Sequence, residues 1–350
     1  MATPLKLFVC EFITGGGLRD EISVAPLPES LVKEGTLMRD ALLRDLSELE
    51  QYRLITMHDA QLSPSAYASK SFPVNIGNFK QVFKKVLKQA DLVWLIAPET
   101  DGMLLELTEL CLAAEEKEDG TIFLGCGYDS TLVGTSKSLS FEALQEANIH
   151  TLPVYSGEDL MQQDYFNEML QLNVKQWLAK PEDGAGCDGI RLFDSLHDLR
   201  SWLEQEDHYL HYFAQPFQQG TSASFSMICR DGKGWLLSCN QQHIECDGSQ
   251  FRLTGISVNA MHTYWQRFDT LARKIAKMMP DALGYVGVDV IIDTENDQIF
   301  VIDINPRLTS SYAGLRESIG HNPAQIILEC ILEPHFKIPA LQRNIVEIKF

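Results

Sequence analysis

Residues Gly284–Gly314 read GYVGVDVIIDTENDQIFVIDINPRLTSSYAG. Two apolar runs flank a polar turn, Thr294 to Gln298, so the segment predicts a β-hairpin. A loop of the three residues 295–297 sets Asp289 directly across from Asp303, and the period of two along a strand puts Asn305 on the same face as Asp303. Like charges facing each other across a sheet are unfavourable unless something positive lies between them. Two carboxylates and an amide oxygen on rigid strands form an all-oxygen set suited to Mg²⁺, a hard cation commonly shared with nucleotide phosphates. Arg307, just past the strand, adds a planar cationic fork for phosphate or carboxylate. Most hairpin acids are solvated turn residues. These are embedded in apolar strands, which favours a site.

The rest of the chain bounds what that site serves. At 350 residues, with 45% apolar and 22% charged residues, it is a globular chain long enough for two or three lobes. Its 29 basic and 48 acidic residues leave a net charge of −19. That argues against a nucleic-acid or anionic-membrane partner, since both need basic surface, but leaves room for a nucleotide held by a few lysines and arginines. No apolar run approaches the roughly 20 residues of a bilayer span. MATPLKLFVCEF lacks a basic leader and a cleavage site and reads as a first strand. The eight cysteines include no CxxC pair, so neither zinc knuckle nor disulfide framework is indicated. Cys10, Cys111, Cys126 and Cys229 stand in apolar contexts as buried thiols. A reducing cytoplasm fits, and self-association into a homodimer stays open.

Residues 5–126 alternate strand and helix. Leu5–Cys10, Tyr52–Met57, Leu92–Ala97 and Thr121–Cys126 read as buried strands, with helices at Leu31–Leu49, Ile76–Ala90 and Met103–Glu116. In the second helix Ile76, Phe79, Val82, Phe83, Val86, Leu87 and Ala90 recur at three-four spacing. The alternation predicts a parallel, doubly wound sheet, whose ligands bind beyond the carboxyl ends of the strands. Glu11, Gly15-Gly16-Gly17, Glu99 and Asp101 then stand at a cleft rim, though each taken singly is more often an ordinary turn residue. From about residue 129 the texture changes to α+β. A helix over Thr135–Ala147, capped by Ser136 or Thr135, precedes an antiparallel region to about residue 260, a helix at 264–279 and the hairpin. The expected division is 1–128, 129–212 and 213–350.

Trp177–Lys180 reads as a strand running into Pro181–Gly189, where residues 184–189 match GxGxxG. A dinucleotide fingerprint should open a helix after the first strand of a βαβ unit. This one lies mid-chain with a second strand, Ile190–Phe193, behind it. A glycine-rich loop between antiparallel strands is instead a flap whose backbone N–H groups close over phosphates, with Gly184 and Gly186 at closest approach and Lys180 at its mouth. No GxxxxGK[ST] occurs, and the HRD and DFG signatures of protein kinases are absent. Lys137 begins a helix, where a cation opposes the dipole, and that misfit favours a bound anion. Gln215 and Phe217 present groups to an adenine ring.

Taken together, Lys137 before its helix and His150-Thr151-Leu152-Pro153, the Lys180 strand with its flap, the Gln215–Gly220 hinge, Gly287-Val288-Asp289 and Asp303-Ile304-Asn305-Pro306-Arg307 resemble the ATP-grasp superfamily of carboxylate–amine ligases. The resemblance covers roughly residues 130–330, and the α/β domain before it fits the lobe that usually precedes that fold. It implies ATP and Mg²⁺ (or Mn²⁺), with Lys137 and Lys180 on the phosphates, Asp289, Asp303 and Asn305 on the metal, and Arg307 on the transferred phosphoryl group or the later tetrahedral species. Asp303 stands where many members carry Glu, and Pro216 where a hinge Glu is common, leaving that residue's ribose contact unassigned. LFVCEFITGGG, SLVKEGTLMRDALLRDL (30–46) and NPRLTSSYAGLR (305–316) look like the tyramine–glutamate ligases of methanofuran-type cofactor synthesis and their bacterial relatives. That likeness puts Thr309, Ser310, Ser311 and Arg316 near the amino-acid substrates, facing Glu11 and Gly15–Gly17. The expected activity is ATP-dependent amide or γ-glutamyl bond formation between a small carboxylate and a small amine. A nucleotide-binding module without catalysis is the alternative from another class, and a nicotinamide dehydrogenase fails on the position of GxGxxG.

Overall fold

The computed structural model describes residues 3–19, 26–117, 120–182 and 189–350. The expected glycines Gly184 and Gly186 lie outside the described residues.

The first sheet is fully parallel. Its strands β1 (Leu5–Glu11), β2 (Tyr52–Asp59), β3 (Lys70–Val74), β4 (Leu92–Ile96) and β5 (Ile122–Phe123) stand in the order β3-β2-β1-β4-β5. β4 (LVWLI) and the Leu7–Cys10 run of β1 are apolar without a break because both faces are covered. Leu7, Val9 and Trp94 pack under α1 (Glu29–Ser47), whereas Phe8, Cys10 and Val93 meet α2 (Phe79–Leu87) and α3 (Met103–Glu115). Sequence periodicity missed β3, an edge strand holding Pro73, a residue that sheets accept only where no ladder donor is needed. It also started α2 three residues early. Ile76 is 52% exposed, in a turn closed by the Asn75 N–H donating to the Asn78 side chain, with Gly77 at φ +76°. The fourth expected strand shrinks to the two residues of β5, and the Thr121 hydroxyl just before it donates to the Leu87 and Ala90 carbonyls at the end of α2.

Two helices follow, α4 (Tyr128–Thr135), not expected, and α5 (Lys137–Glu146). Ser136 caps α5 by accepting from the Leu139 N–H at 3.3 Å. Residues 155–216 form a small lobe of β6 (Tyr155–Ser156), α6 (Gly157–Met161), α7 (Gln163–Leu170), β7 (Trp177–Pro181), β8 (Arg191–Phe193), α8 (Leu196–Leu203) and β9 (Tyr212–Pro216). Its own core gathers Leu160, Phe166, Trp177 and Leu199. The stretch expected to look antiparallel therefore carries three helices among the described residues, each too short for its apolar spacing to stand out from a strand.

The remaining elements are β10 (Thr221–Arg230), β11 (Lys233–Asp247), β12 (Gln250–Val258), α9 (Trp265–Met278), β13 (Gly284–Asp293), β14 (Gln298–Asn305), α10 (Leu315–Ile319), α11 (Pro323–Leu332) and β15 (Val346–Lys349). One long sheet runs β14-β13-β10-β11-β12-β8-β7-β9-β6, with β15 on β12. A single apolar core joins this sheet to the first one. Leu42 and Leu46 of α1 share it with Ile228, Leu237, Tyr285, Tyr312 and Ile327.

Candidate active site

The hairpin forms as expected, by a different route. The loop between β13 and β14 is the four residues 294–297, pairing Asp293 with Gln298, and a bulge at Ile302 then restores Asp289 opposite Asp303. A bulge re-aims side chains: Ile302 and Asp303, adjacent in sequence, both face the same cavity. The Asn305 amide donates to Asp289 at 3.2 Å, and Gln242 of β11 donates to the other Asp289 oxygen at 2.8 Å. Burial, then the facing Asp303, push the Asp289 carboxyl up to about 7, against the pull of Asn305, Gln242 and Arg307. Two acids held face to face at that cost fit a divalent cation between them. Among the described residues no group of three or more His, Cys, Asp or Glu side chains is placed to hold a metal. The donors here are two carboxylates and an amide, and a Mg²⁺ ion held by them would need further oxygens, from water or phosphate, to complete its shell.

Asp289 and Gln242 lie on the wall between two cavities of nearly equal size. The first, about 880 Å³, is lined by Lys180, Gln215, Phe217, Phe251 and Asp303. Phe217 and Phe251 lie nearly parallel, 6.3 Å apart at 29°, giving an apolar slot. Gln215 donates to the Leu152 carbonyl at 3.4 Å, while its buried side-chain oxygen finds no donor among the described residues. An orphaned buried acceptor is costly, and the exocyclic amine of a purine would satisfy it. Lys137, Lys180 and Asp303 meet in an adjoining recess of about 390 Å³. The strands flanking the glycine segment are antiparallel, with Trp177 opposite Phe193 and Ala179 opposite Arg191. That is a flap's framework, unlike a strand feeding a helix.

The second cavity, about 870 Å³, brings together Glu11, Arg307, Thr309, Ser310 and Ser311. Gly16 and Arg316, expected beside them, do not line it. Gly16 is a turn residue at φ +91° that Val74 crowds, a Cβ there meeting that side chain at 2.8 Å. Arg316 turns away to Asp45 at 3.1 Å and Glu48 at 2.8 Å. Arg307 is not an open fork. Glu99, from the loop after β4, grips it twice, at 2.8 and 2.6 Å, and Arg307 also donates to the Leu308 carbonyl at 3.1 Å. Burial opposes the guanidinium charge, but Glu99, then Glu34 and Asp303, keep it protonated. Below the cavity floor the Tyr285 hydroxyl meets Ser226 at 2.7 Å, Thr309 at 2.9 Å and Ser311 at 3.1 Å. Gly287 makes this possible, since a Cβ there would stand 2.4 Å from the Thr309 methyl. Sequence reasoning missed Gln242, Ser224 and Glu34, all lining this cavity.

The family model of the ATP-grasp domain matches residues 135–311, and that of the pre ATP-grasp 3 domain matches residues 52–130. The chain is 27% identical over 293 residues to a tyramine–L-glutamate ligase of Methanocaldococcus fervens, covering 82% of this chain and 84% of that one. It is 26% identical over 322 residues to the tyramine–L-glutamate ligase of Methanocaldococcus jannaschii, covering 90% and 86%. Among solved structures it is similar to an ATP-grasp superfamily protein from Archaeoglobus fulgidus, with TM-score 0.67 and 20% identity over 99% of this chain and 100% of the other.

Proposed function

The chain belongs to the ATP-grasp family and is a carboxylate–amine ligase, and we propose that it joins glutamate to an aromatic amine or amino acid, tyramine or tyrosine, as in methanofuran-type cofactor synthesis. One observation carries this reading: the two cavities share a wall at Asp289, beside Asp303 and Asn305. A nucleotide in the first and a carboxylate in the second would meet across that wall.

Each residue has a role in this scheme. Lys137 and Lys180 neutralise phosphate oxygens, Phe217 and Phe251 hold the base, and the Gln215 oxygen accepts from it. Asp289, Asp303 and Asn305 would hold Mg²⁺, which would neutralise charge on the phosphate oxygens. A substrate carboxylate oxygen attacks the γ-phosphorus, and the bond from that phosphorus to the departing ADP oxygen breaks, leaving an acyl phosphate. The amine nitrogen then attacks the acyl carbon, loses a proton, and phosphate leaves with the former carboxylate oxygen. Arg307, fixed by Glu99, stabilises charge on the acyl oxygens without reorganising. Apolar walls exclude water that would hydrolyse the acyl phosphate.

No helix among the described residues is long and apolar enough to cross a membrane. The seven described cysteines are all unpaired, which fits the reducing cytoplasm where we place the reaction.

The test is ADP release from ATP and Mg²⁺ across a panel of amino acids and aromatic amines, with product masses. The expected result is release stimulated only when an acid and an amine are both present, with a product equal to their sum less one water. ATP binding with no pair stimulating release would favour a non-catalytic nucleotide binder.

A further inference from the structure

The inward face of α1 carries Leu31, Glu34, Gly35 and Met38 at spacing i, i+3, i+4, i+7, and all four line the second cavity. Such positions are ordinarily apolar, and Glu34 interrupts the stripe. A carboxylate on an apolar wall is unfavourable unless partnered. Ser310 supplies one hydrogen bond from its hydroxyl, whereas an ionised carboxylate accepts about four. The other acid on this wall is already engaged at both oxygens. Glu11 accepts from the Ile13 N–H at 3.0 Å, the Thr14 N–H at 2.7 Å and the Thr14 hydroxyl. It is also pressed by α1, where a Cβ on Gly35 would lie 2.6 Å from its oxygen. Arg307, at the end of the hairpin, lines the same cavity within electrostatic reach of Glu34. The cavity is thus polarised, with an available anion at its α1 end and a cation beside the hairpin.

Resting on the ligase reading above, we infer that Glu34, held by Ser310, is the anionic contact for the ammonium group of the attacking amine, with Leu31 and Met38 covering the amine's apolar body. The acid substrate then lies toward Arg307 and Asp289, and the amine enters from the side of α1. The ammonium leaves Glu34 as it gives up one proton to solvent, and the free amine bonds to the acyl carbon while its second proton goes with the departing phosphate.

The experiment compares two nucleophiles on one acyl phosphate: the primary ammonium substrate, and hydroxylamine, which is uncharged at mildly alkaline pH and has no ammonium for Glu34 to bind. Glu34→Gln is expected to lower the ratio of amine-supported to hydroxylamine-supported turnover about tenfold or more, mostly through the amine KM. Glu34→Asp, which keeps the charge, is expected to recover part of that ratio. A wild-type ratio in Glu34→Gln, whether both activities fall together or neither falls, would overturn the assignment and leave Glu34 as a support for the Ser310 loop. Failure of the underlying ligase reading looks different: the wild-type protein would form no hydroxamate with any acid.

Discussion

At the scale of single residues, the account turns on Asp289 and Asp303. Asp303→Ala is expected to cut turnover roughly 10²-fold or more while ATP still binds, because the site loses transition-state charge neutralisation rather than its base slot. Isothermal titration with ATP beside a steady-state assay checks this; unchanged turnover would remove Asp303 from the site. The raised Asp289 carboxyl, at about 7, gives a pH dependence with a definite sign. An acid whose folded value lies above its unfolded one binds more protons when folded, so its contribution to stability is full below the unfolded value and is lost as pH rises through about 7. The metal-free protein should therefore lose thermal stability across that window, and Mg²⁺ should restore it. Apparent Mg²⁺ affinity should rise over the same window as the competing proton leaves, and Asp289→Asn should flatten both trends.

At the scale of elements, what sequence made legible was whatever lay in one stretch. The hairpin carries its acids, its amide and Arg307 within 19 residues, Asp289 to Arg307, so strand periodicity alone was enough to group them. The Asp289–Asp303 opposition was right, but it arises from a four-residue loop corrected by a bulge, which no periodicity reveals. Glu99 and Gln242 were not legible as partners of this hairpin because only the tertiary fold brings β4 and β11 to it. Arg316 follows a matching loop motif, yet its side chain is claimed by Asp45 and Glu48 of the α1 region. The packing of β13 under the Thr309 loop is tight enough to test. Gly287→Ala should destabilise by about 1–3 kcal/mol through overpacking and raise substrate KM, since Thr309 must move off the strand. Thermal unfolding with Michaelis kinetics reads both; wild-type values for the two would mean that the loop is not set by this contact.

At the scale of the whole molecule, the preceding domain contributes to the candidate site. It supplies Glu11, Glu34 and Glu99, and α1 is buried between both sheets. Asp45 anchors that junction: fully buried, it accepts from Tyr312 and Arg316, each at 3.1 Å. Asp45→Ala leaves the buried Tyr312 hydroxyl and one nitrogen of Arg316 without their acceptor, while Glu48 still holds the guanidinium, and should cost about 1–3 kcal/mol in denaturant unfolding, whereas Arg316→Leu should leave substrate KM near wild type. A large KM change in Arg316→Leu without loss of stability would return Arg316 to the substrate site.

The most direct test of the reaction follows an oxygen atom. With the carboxylate substrate labelled with ¹⁸O in both oxygens and the amine present, the account predicts ADP as the nucleotide product and one ¹⁸O in each released phosphate. Label appearing in AMP, or phosphate released without label while product forms, would contradict an acyl phosphate made at the Asp289–Asp303 hairpin.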